Sequence, residues 1–141
     1  VFAFAGDIVS QEYYQEVLRT AKEEKVENQV VYLGTFSPGE KMNELYNIAD
    51  TAIFVSRYEG FSLACVESIS AGVPVVLCSD SLSSFGDGSI LAERQDVSDR
   101  IRQLLNDGDL LKELKQAARK NAVENFTWSK TAQKYFDNFN I

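Results

Sequence analysis

Apolar residues along this chain switch between two periods. Short runs at 1–5, 30–33, 52–55 and 75–77 are apolar without alternation, as expected of strands buried on both faces of a parallel sheet. Between them, apolar positions recur at helical spacing. Tyr14, Val17, Leu18 and Ala21 form one such set, and Met42, Leu45, Tyr46 and Ala49 form another. Ser37-Pro38-Gly39-Glu40 opens the second as a capping box with proline at the first helical position. A further helix is predicted over 63–71, ended by Gly72. A weaker fifth strand falls at 89–92. Val97, Ile101, Leu104 and Leu105 then mark a helix with Asp96 as its cap, which the polar break at 106–109 ends. Leu110, Leu111, Leu114 and Ala118 mark the next. Thr127 caps a last helix carrying Trp128, Ala132, Tyr135 and Phe136. This alternation predicts an α/β fold: a Rossmann-like parallel sheet with helices on both faces. Ligands of such sheets bind beyond the carboxyl ends of the strands. Asp7, Thr35, Phe36 and Glu59 all follow predicted strand ends, so one edge is expected to hold them.

Composition narrows the class. The 141 residues are 45% hydrophobic and 25% charged, enough for one domain with its own core. Fourteen basic against 21 acidic residues give a net charge of -7. Nucleic acid is therefore not an expected partner, since its phosphates call for clustered Lys and Arg. There is no histidine, and the two cysteines are Cys65 and Cys78. No metal constellation and no Cys-His pair can be assembled from them. They read as small core residues of a reducing compartment, which points to the cytoplasm. No run is long and apolar enough to span a membrane.

The candidate chemistry lies at 56–67, between the third and fourth strands. Gly60 permits a sharp turn or a close backbone approach. Ser62 is placed to cap a helix that Leu63 opens. The first amides of that helix lack internal partners and, with the helix dipole, suit a phosphate. Glu67 follows five residues after the cap, roughly 7.5 Å along the axis, and leans back toward the helix start. It is placed to accept from hydroxyls near a phosphate held there, while Glu59 faces the other end of the same ligand. An acid near a helix start is also stabilising without any ligand, and a helical glutamate is ordinarily solvated. The neighbours of Glu67 (Ala64, Cys65, Val66, Ile69 and Ala71) are apolar or small, so an unpartnered carboxylate among them is expected to be costly.

Glu59-Gly60-Phe61-Ser62 through Glu67, followed by Ala71-Gly72-Val73-Pro74-Val75-Val76, resembles the signature of family 4 glycosyltransferases. These are retaining, nucleotide-sugar-dependent enzymes built as two facing Rossmann-like domains, the GT-B fold. The Gly6-Asp7 strand end, Val30 to Gly34, Glu44 to Asp50 and Phe126-Thr127-Trp128-Ser129 resemble other family segments in order and spacing. The resemblance implies that 1–141 is the C-terminal, nucleotide-sugar-binding domain, truncated on its N-terminal side and inactive alone. It implies Glu59 as the catalytic residue against the donor sugar. Gly60, Phe61, Ser62 and Leu63 would contact donor phosphate or sugar, Glu67 the ribose hydroxyls, and Thr35 and Phe36 the region of the base. The nucleotide-sugar is then substrate. No cofactor and no metal are expected. Its partners would be the absent N-terminal domain and a glycan or lipid-linked acceptor, as in O-antigen or capsule synthesis. Peripheral membrane association through that absent domain, at the inner face, is left open.

The chain also departs from the pattern. The family's diphosphate-binding cations come from a loop that would precede Val1. Arg57 is the one cation beside the motif and is not assigned that role. The connection 78–88 is polar, short and unlike the family's glycine-rich loop. Two other readings stand beside the first: a GT-B-like nucleotide-sugar epimerase, and a non-catalytic Rossmann-like binding module. Phe36, Tyr13, Tyr14 and Tyr58 are candidates to stack on a base or sugar. Trp128, Tyr135, Phe136 and Phe139 are candidates to face the absent domain, which would leave them exposed here.

Overall fold

The structure is a computed structural model that describes residues 1–37, 39–57, 59–78 and 85–139. Its elements follow the order β1 (Phe2–Phe4), α1 (Gln11–Glu23), β2 (Val30–Tyr32), α2 (Glu40–Ile48), β3 (Ala52–Phe54), α3 (Leu63–Ser70), β4 (Val75–Cys78), β5 (Ser89–Ala92), α4 (Val97–Asn106), α5 (Gly108–Asn125) and α6 (Trp128–Phe139). Single 3-10 turns fall at Glu27–Gln29 and Arg94–Asp96. Every strand pairing is parallel. The alternation implied one sheet, but the ladder hydrogen bonds divide into two, β1-β2 and β3-β4-β5. The chain correspondingly forms two compact units, Val1–Met42 and Asn43–Ile141.

In the first unit, Phe4, Tyr14 and Tyr32 pack ring to ring at 5.2 to 6.2 Å. Tyr14 is thus a packing residue, while Tyr13 stands 67% exposed. α1 starts where the Ser10 hydroxyl accepts from the Tyr13 amide. The loops that leave the two strands are tied together. The Gly6 amide donates to Gly34 O at 3.0 Å, and the Tyr32 hydroxyl donates to Gly6 O at 2.8 Å.

In the second unit β4 is buried along its whole length, as the central strand of a covered parallel sheet must be. Its side chains alternate between faces. Val75 and Leu77 join Cys65, Ile69, Ala118 and Ala122 beneath α3 and α5. Val76 joins Ala92, Val97 and Leu104 on the α4 side. Ile69, Leu77, Val75, Val76 and Leu104 are wholly buried, each worth roughly 1.5–3 kcal/mol of hydrophobic transfer. This strand and its two faces hold the β3–α3 connection in place.

Helix ends are largely where the chemistry puts them. Gly72 turns the chain out of α3 with a φ of +76°. The Asp107 carboxylate caps α5 by accepting from the Leu110 amide at 2.9 Å, and Thr127 caps α6 through the Lys130 amide. Asp96 is different. It lies in the 3-10 turn with φ -98° and ψ -6° and makes no side-chain cap bond, because that backbone does not aim its carboxylate at the first-turn amides. Pro38, the proposed first helical residue after the Ser37 cap, lies outside the described residues, as do Tyr58 and 79–84 of the polar connection. Trp128, Tyr135, Phe136 and Phe139 on α6 are all more than half exposed. Among the described residues no helix is long and apolar enough to cross a membrane.

Candidate functional site

β3 ends at Phe54, and the chain passes through Ser56 and Glu59 before α3 opens at Leu63. Ser62 is buried, with extended backbone, and its hydroxyl accepts from the Cys65 amide at 3.4 Å. The Ser62 carbonyl accepts from the Val66 amide at 3.3 Å. The second of these is the first regular bond of the helix, so the Ser62 hydroxyl satisfies one of the four orphan donors of the first turn. The Leu63 and Ala64 amides have no partner among the described residues and face the positive end of the helix dipole. The Ser62-capped helix start expected from the sequence is thus present.

Glu59 is half-buried, and its Oε2 accepts from the Ser56 hydroxyl at 3.1 Å. That bond holds one carboxylate oxygen and fixes the rotamer. Glu67 differs from its expected setting. Helical spacing turns Cys65, Ser68 and Ile69 inward and leaves Glu67 exposed, so burial among apolar neighbours imposes no cost on it. It has a partner all the same. The Tyr46 hydroxyl, delivered by α2, donates to Glu67 Oε2 at 3.1 Å and lies 3.4 Å from Ala64 O. Burial first, and the Glu67 carboxylate second, hold the Tyr46 phenol above its ordinary range. It therefore remains a hydrogen-bond donor at any physiological pH. Glu67 keeps Oε1 for an outside donor.

Gly60 is exposed and its φ is not positive. A Cβ placed there meets no atom within 4 Å. The turn itself does not need a glycine, contrary to the first of the two sequence rationales, and the open space that the second requires is present. Phe61 is 56% exposed and Leu63 70% exposed. Phe61 still touches the interior through Phe85, with ring centroids 5.5 Å apart. Gly60, Phe61, Leu63 and Glu67 are thus all open to solvent. Two open concavities, of about 370 and 680 Å³, contain none of them; one lies along α1 beside β1 and β2, the other between Gly72 and α5.

In the first unit Thr35 is exposed and Phe36 half-buried. The Thr35 hydroxyl donates to Asp7 Oδ1 at 2.8 Å, which joins the loops at the carboxyl ends of β1 and β2. Cys65 and Cys78 are buried and neither is in a disulfide. Burial pushes the Cys65 thiol up to about 11, the Ser62 hydrogen bond opposes this and the Glu59 charge adds to it. That thiol stays protonated and inert. Among the described residues no cluster of His, Cys, Asp or Glu could hold a metal ion.

Ser56, Tyr46 and Arg94 are the polar neighbours that sequence reasoning missed. Arg94, from the turn after β5, donates to the carbonyls of Val55 and Ser56. Tyr46 reads in sequence as one more apolar-face position of α2, and no local signal pairs it with an acid 21 residues on.

Comparison with known proteins gives the family and the fold. The family model described as glycosyl transferases group 1 matches residues 1–121. The O-antigen chain mannosyltransferase B of Escherichia coli is 38% identical over 108 residues, which are 72% of this chain and 28% of that protein. Anabaena HepE, solved in complex with UDP-glucose, superposes with a TM-score of 0.80 at 20% identity over 98% of this chain and 40% of that one. The C-terminal domain of a glycosyl transferase group 1 family protein (LpcC) from Francisella tularensis superposes with a TM-score of 0.72 at 17% identity, over 86% of this chain and 66% of that one. The chain spans less than a third of the length of the curated relatives it matches. The parallel sheets flanked by helices are the Rossmann-like half of a GT-B fold. By family match, relatives and fold together, this chain belongs to the group 1 glycosyl transferases.

Proposed function

We propose that this chain is the donor-binding half of a retaining glycosyltransferase that moves a sugar from a UDP- or GDP-linked donor to a glycan or lipid-linked acceptor. The observation that carries the reading is the Ser62-capped start of α3, whose Leu63 and Ala64 amides lack internal partners. Those amides take donor phosphate. Glu67 takes ribose hydroxyls on its free oxygen, and Glu59 stands at the sugar. Thr35 and Phe36 serve the base. A mannosyltransferase of O-antigen chains among the relatives and UDP-glucose in a fold neighbour support the donor class and a role in cell-surface polysaccharide synthesis.

The acceptor oxygen attacks the anomeric carbon on the face from which the diphosphate leaves. Its proton passes to the departing phosphate oxygen, so configuration is retained. Charge on the diphosphate is stabilised by helix amides and by cations from the rest of the protein. The donor groove is open in this half and closes against the facing half of the fold, where the acceptor sits. No bound metal is required.

Nucleotide titration tests the reading. UDP or GDP at millimolar concentration should move the amide resonances of Gly60, Leu63 and Glu67, with weak affinity in this chain alone. Unmoved resonances with both nucleotides would reject the site. Tyr46→Phe removes one hydroxyl and leaves the ring packed. It should weaken donor affinity about three- to tenfold, the worth of about one ordinary hydrogen bond, because the lost bond only presets the Glu67 carboxylate. Calorimetric titration of the intact protein reads this, and a wild-type Kd would show that Glu67 needs no help in taking its rotamer.

A further inference from the structure

We infer that Arg94 is a positioning residue, which fixes the segment leaving β3 and through it the carboxylate of Glu59. β5 delivers Arg94 to the carboxyl edge of the second sheet. Its Nη1 donates to Val55 O at 3.0 Å and its Nη2 to Ser56 O at a longer 3.5 Å. β3 and β5 flank β4, so the side chain reaches over the end of the central strand, a span of roughly 10 Å at normal strand spacing. The two carbonyls lie just beyond the last β3 ladder position, Phe54. Carbonyls past the end of a ladder need a donor from elsewhere. A planar guanidinium fork can serve two adjacent carbonyls at once, whereas an ammonium offers a single point charge.

The consequence reaches the acid in one further step. Ser56, whose carbonyl Arg94 holds, sends its own hydroxyl to Glu59 Oε2 at 3.1 Å. Guanidinium, Ser56 backbone, Ser56 hydroxyl and Glu59 carboxylate form one connected path. With Arg94 in place, Ser56 is fixed and the Glu59 rotamer is set before any ligand arrives. Without it, the backbone at Val55 and Ser56 loses the donors that fix it, and Ser56 no longer presents its hydroxyl to Glu59 from a set position. Misplacement of a reacting group by an ångström or so is enough to slow a reaction by one to two orders of magnitude. Arg94 itself contacts backbone, so its effect on turnover is indirect.

The catalytic part of this inference rests on the glycosyl-transfer reading, and two measurements on the intact protein separate the two. Steady-state transfer from a UDP- or GDP-sugar should show kcat reduced about tenfold in Arg94→Met, with donor KM within about threefold of wild type. Arg94→Lys should recover part of the loss. Hydrogen exchange followed by mass spectrometry should show faster exchange of amides 56–61 in Arg94→Met, with β4 and α5 unchanged. Unaltered exchange at 56–61 would overturn the inference, as would wild-type kcat in Arg94→Met. Faster exchange spread through β4 and α5 would also overturn it, because Arg94 would then be a general support of the fold. A wild-type protein that transfers no sugar from any such donor would defeat the proposed function instead, and the exchange data would still decide whether Arg94 orders the segment.

Discussion

Glu59→Ala in the intact protein is expected to lower kcat for sugar transfer about a hundredfold and to leave donor KM within about threefold. Glu67→Ala is expected to do the opposite, raising KM about ten- to a hundredfold with kcat nearly unchanged. The division follows from what each carboxylate can touch. Glu59 precedes the helix, half-buried, with one oxygen engaged by Ser56, and in the proposed donor pose its charge stands beside the sugar. A charge at the reacting carbon acts mainly in the transition state, and losing one preorganised electrostatic group typically costs about 10²–10³ in rate. Glu67 is on the helix, exposed, with one oxygen held by Tyr46. The bonds to ribose proposed for it would be the same before and during reaction, so they would stabilise ground and transition states alike and appear in KM. Hydrogen bonds to a charged group are worth about 1.5–3 kcal/mol, which sets the size of that change. Parallel loss of kcat and KM in both variants, measured by initial rates over a range of donor concentrations, would refute this separation of roles.

The contrast between these two acids marks where the sequence is readable. Their spacing, the serine cap and the helix between them are local, and local geometry follows from period and capping chemistry. The same is true of the strands: unbroken apolar runs at 52–55 and 75–77 became the adjacent, parallel β3 and β4. The apolar sequence neighbours of Glu67 do not bury it, because neighbours in sequence on a helix are not neighbours in space. On a helix the inward face is set by Cys65 and Ile69, and Glu67 is rotated off it. Long-range polar contacts were not readable at all. Arg94 meets Val55 across 39 residues, and the Tyr46 hydroxyl meets Glu67 across 21. No periodicity encodes such pairings. The division of the ladder into β1-β2 and β3-β4-β5 was invisible for a related reason: an apolar run announces a strand but not which strand it bonds to.

Glycines show the same limit most sharply, and they carry the largest expected effect on stability. Gly60 and Gly88 look alike in sequence, each in a polar turn. At Gly88, φ is +89° and a Cβ would lie 2.4 Å from Ala118 Cα, in backbone that cannot move aside. Gly88 also presents its carbonyl to the Val75 amide at 3.0 Å, so the turn cannot shift without breaking the entry to β4. A side chain there incurs about 1–2 kcal/mol for the left-handed backbone and about 1–3 kcal/mol for overpacking against α5. Gly88→Ala should therefore lose about 2–5 kcal/mol, a large share of the 5–15 kcal/mol typical of a folded domain. At Gly60 the added methyl meets nothing within 4 Å, so Gly60→Ala should change stability by under about 1 kcal/mol. It should nonetheless weaken donor binding about tenfold or more, because the methyl occupies the surface the ligand must approach. Urea unfolding of both variants reads the first difference as a shift in midpoint at constant slope, and nucleotide titration reads the second. Equal unfolding midpoints would mean that α5 does not pack on the turn before β5 as described. Undiminished nucleotide affinity in Gly60→Ala would mean that the ligand does not lie against this backbone.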